Sequence, residues 1–211
     1  MMEKIYFDES TFIWKGKLKL SDYKKSILEE CLDVINSSNN SSKKLDAYGY
    51  IHDSKQIDST GNILINNNWL DKICQSGINQ CKLLYEDKFN KVNDDAWINV
   101  VRSKNPVQPK FMDSKYHIHT ELQSEIGSFF PHYTYVYYIQ MPDVMNGDDG
   151  VLYFLGKNGK EYWIRPEEDD LIIMEGDMPH APNNAPNSTI DRIVMAGNVG
   201  FEYLKQHKTL I

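Results

Sequence analysis

One short run of the chain combines metal-binding side chains with a spacing that lets them act together. His117, His119 and Glu121 alternate along the run HIHTE. In an extended strand, alternate side chains share one face, so any adjacent two of these three can chelate the same ion. The run therefore predicts one side of a metal site.

A further ligand and a cation follow later in the chain. His180 lies in GDMPHAPNN, after a predicted strand and before a turn, which suits a ligand that reaches the same ion from another strand. Arg192 heads the next predicted strand, where its guanidinium can bind a carboxylate through two parallel hydrogen bonds. Three protein ligands on one face of an octahedral ion are the arrangement found in non-haem iron oxygenases.

The elements that must position these residues are predicted to be short β-strands. Seven runs rich in β-branched and aromatic residues occupy the second half of the chain, separated by turn signals such as KNGK and PEEDD. The runs are AWINVVRS, KYHIHTEL, YTYVYYIQM, GVLYFLG, EYWIRP, DLIIME and DRIVMAGNVGF. Short strands with no helical pattern between them predict antiparallel sheets packed as a sandwich, barrel or jelly roll.

The first part of the chain is predicted to carry two helices. Apolar residues recur every three or four positions over residues 21–36 and again from residue 68 to about residue 89, where Gly77 is the weak point. We therefore expect one domain, residues 1–211. Residues 1–94 would form a helical support with edge strands, and residues 95–205 would form the β core.

The composition narrows the class of partner. A formal net charge of -7 gives no basic surface for nucleic acid, and no run approaches the ~20 apolar residues of a membrane span. The 3 cysteines make no disulfide framework, and the first residues lack the order of a signal peptide, so a cytoplasmic protein is expected. We expect a small-molecule or protein substrate, with no nucleic acid or membrane as partner. Exposed aromatic strands favour a homodimer.

Taken in order, the motifs from residue 97 to residue 201 resemble the 2-oxoglutarate/iron(II)-dependent oxygenase superfamily, particularly its small bacterial and phage members. The shared features are AWINV, the HxH or HxE strand, YVYYI, GVLYF, PEEDDLIIMEGDMPH and DRIVMAGN. The resemblance implies a mainly β fold with flanking helices, namely a double-stranded β-helix (jelly roll) with an N-terminal helical layer. It also implies Fe(II) and 2-oxoglutarate as cofactors, and hydroxylation of a C–H bond while 2-oxoglutarate is oxidised to succinate and carbon dioxide.

The resemblance also implies roles for further residues. Arg192 would hold the far carboxylate of 2-oxoglutarate, assisted by Tyr135 or Tyr137 from the strand after the first metal motif. Two asparagines are expected to contact the substrate because of their positions. Asn99 lies on the strand before the metal motif, and Asn184 lies in the loop beside His180.

Two ligand sets remain open because HIHTE replaces the family's usual HxD pair. His119, Glu121 and His180 would keep a carboxylate at the metal, whereas His117, His119 and His180 would make a three-histidine site. The second set resembles the cupin superfamily, whose HxxxN ending is matched by HAPNN. A cupin-type metalloenzyme would not use 2-oxoglutarate. In a third alternative, a non-catalytic jelly-roll binding protein, the three histidines would lie apart or hold no metal.

Overall fold

The computed structural model describes residues 2–18, 24–26, 28–29, 76–77, 79–81, 89–101, 116–119, 132–183 and 185–203, with only the backbone described for residues 89–101, 132 and 201–203. Within these residues the chain is mainly β. The strands are β1 (Glu3–Tyr6), β2 (Phe12–Lys17), β3 (Phe89–Val101), β4 (His132–Gln140), β5 (Leu152–Leu155), β6 (Glu161–Ile164), β7 (Asp170–Glu175), β8 (His180–Pro182) and β9 (Arg192–Tyr203).

The strands form two antiparallel sheets. The larger sheet has 6 strands in the order β1-β2-β7-β4-β9-β3, and the smaller sheet has 3 strands in the order β6-β5-β8. From β4 onward the chain moves back and forth between them, since β4, β7 and β9 belong to the larger sheet while β5, β6 and β8 belong to the smaller one.

The apolar core lies where the inner faces of the two sheets meet. Alternate residues of β4, β7 and β9 contribute one side chain after another to this core, and residues of β5 meet them from the smaller sheet. The core residues of these four strands are Val136, Tyr138, Leu152, Phe154, Ile172, Met174, Val194 and Ala196. Burial on both sides of the larger sheet explains why its strands are apolar runs rather than strictly alternating ones.

The outer face of the larger sheet is also buried. Its tyrosines Tyr133, Tyr135 and Tyr137 are at most 1% exposed. A Cβ atom added at Gly77 would lie 2.9 Å from the Tyr135 ring, so the helical residues around Gly77 pack directly on this face. The glycine that weakens the predicted helix is thus the one that permits its close approach to the sheet.

Short helical stretches lie within both predicted helices. Residues 24–26 and 28–29 are helical within the first predicted helix, and residues 76–77 and 79–81 are helical within the second. The rest of both predicted helices lies outside the described residues. β3 begins at Phe89, opposite Tyr203 of β9, and so starts a few residues before residue 95, where the β core is predicted to begin.

Two details of the strand prediction also change. Residues 116–119 of KYHIHTEL contribute an isolated bridge rather than a regular strand, and β8 is a three-residue strand where a strand-to-turn junction was expected. Among the described residues, no helix has the length and apolar character needed to cross a membrane.

Candidate metal centre

Three histidines from two separate parts of the chain meet in one cluster. The ligand nitrogens of His117, His119 and His180 all lie within 4.8 Å of one another. The ring centroids of His117 and His180 are 4.3 Å apart, and that of His119 is 5.1 Å from each of them. The spacing is close enough for one ion to be shared by all three imidazoles, and imidazole nitrogen is a ligand suited to iron, zinc and copper.

Backbone hydrogen bonds hold the cluster together. The His117 N–H donates to the His180 carbonyl and the His180 N–H donates to the His117 carbonyl, both at 3.0 Å. The His119 N–H donates to the Gly176 carbonyl at 2.9 Å. Residues 117–119 therefore run from the first residue of β8 back along the turn that precedes it, and Ile118, between the two histidines, is 46% exposed.

The cluster opens onto the inner face of the sandwich. His180 is paired in register with Phe154, and cross-strand partners share a face of their sheet. Phe154 belongs to the apolar core between the sheets. The His180 side chain is accordingly buried, at 4% exposure.

The electrostatics of the cluster favour neutral imidazoles. Burial, and then the neighbouring His117 and His119, hold the pKa of His180 well below its usual range, and burial also lowers the pKa of His117. The Nδ1 atom of His180 lies 2.9 Å from the Met178 carbonyl. A proton on Nδ1 satisfies that carbonyl and leaves the lone pair of Nε2 for a metal, as is usual for metal-binding histidines.

Arg192 is a buried cation at the start of β9. It is only 4% exposed, its Nη1 donates to the Asn183 carbonyl at 3.1 Å, and its Nε has no hydrogen-bond partner. Among the residues that the structure describes, no carboxylate lies within ion-pair distance of its guanidinium. Burying a charge without a partner is costly, so this position is suited to an anion supplied from outside the chain.

Arg192 and the histidine cluster both face the space between the two sheets. Val194 and Ala196 belong to the apolar core, and Arg192 precedes them on the same alternation of β9. Asn183, whose carbonyl receives the Arg192 guanidinium, directly follows β8, the strand that begins with His180. The cation and the cluster are thus linked through one short stretch of backbone.

The register of β4 places both tyrosines predicted to bind the co-substrate on one face of the larger sheet. Tyr135 and Tyr137 lie on the outer face, where Tyr135 packs near Gly77 and the Tyr137 hydroxyl donates to Asp169 Oδ1 at 2.9 Å. The inner-face tyrosine of this strand is Tyr138, which belongs to the core and is paired with Val194. The run YVYYI places tyrosines on both faces, so the sequence alone did not decide between them.

For the other predicted site residues, the structure does not describe the side chains. The register pairs Asn99 with Val194, but the Asn99 side chain lies outside what the structure describes, as do Glu121 and Asn184. One polar pair was missed by sequence reasoning. The Thr134 hydroxyl donates to Asn198 Oδ1 at 2.8 Å, and both residues are at most 1% exposed. Polar residues on the inner-face alternation of β4 and β9 are the signal that would have found them.

Comparison with known proteins identifies a shared fold rather than a close relative. No protein-family model matches the chain, and no curated protein does. The crystal structure of a Pseudomonas putida prolyl-4-hydroxylase superposes with a TM-score of 0.52 at 12% sequence identity, covering 91% of this chain and 92% of that one.

A second solved structure is a prolyl hydroxylase in complex with a hypoxia inducible factor oxygen degradation domain peptide fragment from Trichoplax adhaerens. It has a TM-score of 0.49 at 15% identity, covering 90% of this chain and 82% of that one. The likeness to the bacterial enzyme extends over nearly the whole of both chains. The chain therefore shares the fold of that bacterial prolyl-4-hydroxylase.

Proposed function

We propose that the chain is an iron(II)/2-oxoglutarate-dependent oxygenase that hydroxylates a small-molecule or protein substrate within a double-stranded β-helix. The observation that carries the proposal is that one interior holds both a three-histidine cluster and a buried Arg192 that has no carboxylate partner among the described residues. The alternation of β4 to β9 between the two sheets supports the jelly-roll assignment.

His117, His119 and His180 would hold the metal, and their proximity favours His117 over Glu121 as the third ligand. Iron(II), when bound, supplies the activation of dioxygen and the oxidising power for the reaction. The protein's part is to hold three imidazoles in place, partly shielded from water, and burial keeps those of His117 and His180 neutral. Because all three ligands are uncharged, the site is suited to an anionic co-substrate.

Arg192 would anchor the far carboxylate of 2-oxoglutarate. One of its N–H groups already donates to the Asn183 carbonyl, and the unpartnered Nε remains for a carboxylate oxygen. A carboxylate there would form a charge-assisted hydrogen bond and neutralise the buried cation. We assign to Tyr138 the role of the tyrosine that would bind the same carboxylate as Arg192. Tyr138 is paired with Val194, which lies two residues after Arg192 on the same face of β9.

The substrate would be recognised around the same interior. Asn99 and Asn184 remain our proposed substrate contacts. The buried Thr134–Asn198 pair adds a polar surface beside the apolar core residues on the inner face of the larger sheet. A substrate with one hydrogen-bonding group beside its reacting carbon would suit such a surface.

A second function is favoured by one observation, the convergence of three imidazoles in one cluster. A three-histidine metalloenzyme of the cupin kind would use the same ligands without 2-oxoglutarate. In that case the buried charge of Arg192 would serve another anion, such as an acidic substrate.

Anaerobic titration tests the proposal before any substrate is known. Apo-protein receives iron(II) and then 2-oxoglutarate, and the weak visible charge-transfer band of the chelated complex is followed. We expect the band in the wild type and its loss in Arg192→Met, which keeps the side-chain length but removes the charge.

Arg165→Met is the matched control for that titration. Arg165 is an exposed arginine whose guanidinium donates to the Gly147 carbonyl, away from the cluster, so the band should persist in this variant. Iron binding without a band in the wild type would favour the cupin-type function. Absence of iron binding would overturn both.

A further inference from the structure

The segment that joins β8 to β9 connects the last proposed metal ligand to the proposed co-substrate anchor. Residues 183 and 185–191 of this segment form no strand, so their conformation depends on contacts with other parts of the chain. The contacts are made by residues 140–151, the connection between β4 and β5.

Asp143 binds the half of the segment that leads into β9. Its Oδ1 accepts hydrogen bonds from the Ser188 hydroxyl at 2.5 Å and the Thr189 N–H at 2.9 Å, and its Oδ2 accepts one from the Thr189 hydroxyl at 2.8 Å. The Asp143 N–H in turn donates to the Ser188 hydroxyl oxygen at 3.1 Å. One carboxylate therefore fixes two consecutive residues, and Ser188 is 3% exposed despite lying in a loop.

The half of the segment that follows β8 is held through Asn183. Its N–H donates to the Val151 carbonyl at 2.8 Å and its side-chain amide donates to the Asp148 carbonyl at 2.9 Å. The Asn183 carbonyl is the acceptor for Arg192 Nη1. Next to the arginine itself, the Gln140 side-chain amide donates to the Asp191 carbonyl at 2.8 Å.

We infer that Asp143 is a positioning residue for Arg192, holding the β8–β9 segment so that the guanidinium is presented to the co-substrate in one orientation. This inference rests on the proposed function of Arg192. An arginine side chain has many rotamers, and fixing one of them before the ligand arrives lowers the entropy lost on binding. The contacts of Asp143 fix Ser188 and Thr189, which precede Arg192 by four and three residues.

The metal ligands do not depend on the same contacts. His180 is held by its bridge to His117 and by β5, and the His119 N–H donates to the Gly176 carbonyl. Loss of the Asp143 contacts should therefore weaken 2-oxoglutarate binding while metal binding is unchanged. A purely structural role would instead lower stability and metal affinity together.

The test uses the iron(II)-loaded protein and the charge-transfer band as the measure of 2-oxoglutarate binding. Asp143→Asn removes the charge and one acceptor, and Thr189→Val removes the partner hydroxyl. We expect an increase of about tenfold in the 2-oxoglutarate Kd for Asp143→Asn, from the lost pre-organisation. In the double variant the loss of 2-oxoglutarate binding free energy should be smaller than the sum of the losses in the two single variants, because both changes act on one contact.

Asp8→Asn is the matched control. Its carboxylate also fixes a turn, accepting the Ser10 and Thr11 N–H groups at 2.7 Å each, but it lies between β1 and β2, outside the β4–β5 connection, so the 2-oxoglutarate Kd of this variant should equal that of the wild type. Cobalt(II) absorption reports metal affinity in all variants. An unchanged 2-oxoglutarate Kd in Asp143→Asn, or a parallel loss of metal affinity, overturns the inference and leaves the proposed function standing. A wild type that never responds to 2-oxoglutarate overturns both.

Discussion

His117 and His180 are antiparallel bridge partners that exchange two backbone hydrogen bonds of 3.0 Å while their imidazole rings lie 4.3 Å apart. The segment that carries two candidate ligands is thus fastened at its backbone to the strand that carries the third. A metal bound by the side chains would join the same two pieces of chain a second time.

Metal binding should consequently stabilise the fold. At a free metal concentration of 100 times the Kd, the gain in unfolding free energy is about 2.7 kcal/mol. We expect cobalt(II) or anaerobic iron(II) to raise the unfolding temperature of the wild type but not of His119→Ala. Tyr116→Phe, a change beside His117 that keeps all three imidazoles, should retain the metal-dependent rise. An equal rise in His119→Ala would contradict the ligand assignment.

Arg192→Met should separate stability from co-substrate binding. The buried guanidinium has one hydrogen bond and no described carboxylate partner, so an apolar side chain of similar length relieves an unfavourable burial. Replacing buried charges with apolar residues is often neutral or stabilising by about 1–4 kcal/mol. Urea unfolding of the metal-free protein should give an equal or higher midpoint for the variant. A large fall in the midpoint would mean that the cation is already neutralised within the chain.

The stability of the metal-free protein should fall as the pH drops below about 6.5. Burial lowers the pKa of His180 in the folded state, whereas in the unfolded chain it returns to about 6.5. Above that pH both states hold a neutral imidazole and this residue has no effect on stability. Below it the unfolded state takes up the proton first, at a cost of up to about 1.4 kcal/mol per pH unit for each such histidine.

Urea midpoints measured with a chelator at pH 7.5 and pH 5 check that dependence. His180→Gln, which does not titrate, should show a smaller difference between the two midpoints than the wild type. Equal differences in the two proteins would show that other groups cause the acid sensitivity.

Gly77→Ala should destabilise the protein although alanine is the better helix former. The new methyl group would lie 2.9 Å from the ring of Tyr135, which is fully buried. Overpacking of this kind costs about 1–3 kcal/mol, against a gain of at most about 1 kcal/mol in helix propensity. Tyr135→Leu in the same background should recover part of the loss. A Gly77→Ala protein that is more stable than the wild type would contradict the close packing.

Thr134→Val should cost about 1–3 kcal/mol, because it removes the donor of a buried hydrogen bond while keeping the shape of the side chain. A double-mutant cycle with Asn198→Leu isolates the interaction, and we expect a coupling energy of roughly 0.5–3 kcal/mol. Additive effects would show that the two residues act independently.

The sequence predicted the strands that obey simple local rules. Alternation and turn signals located β4, β5, β6, β7 and β9, because each is a run of strand-forming residues bounded by Gly, Pro or Asp. β8 was not predicted as a strand, since its three residues include a proline and its pairing depends on partners distant in the chain. The start of β3 was placed too late because FNKVND is polar and has no local strand signal.

The site was predicted unevenly for a related reason. Residue types and spacing identified His117, His119 and His180, and strand geometry put the first two on one face. The face on which each tyrosine of YVYYI lies is a matter of register against β7 and β9, which no local pattern encodes. The Thr134–Asn198 bond is likewise a product of that register.

The strand order has a consequence for synthesis on the ribosome. The two described strands of the larger sheet that emerge last, β7 and β9, are interior strands, with β7 between β2 and β4 and β9 between β4 and β3. Until residue 203 has left the exit tunnel, β3 and β4 lack the strand that joins them, and their edges are open to other chains. We therefore expect a nascent chain that stays vulnerable to aggregation until late in translation and completes its larger sheet only after β9 has been made.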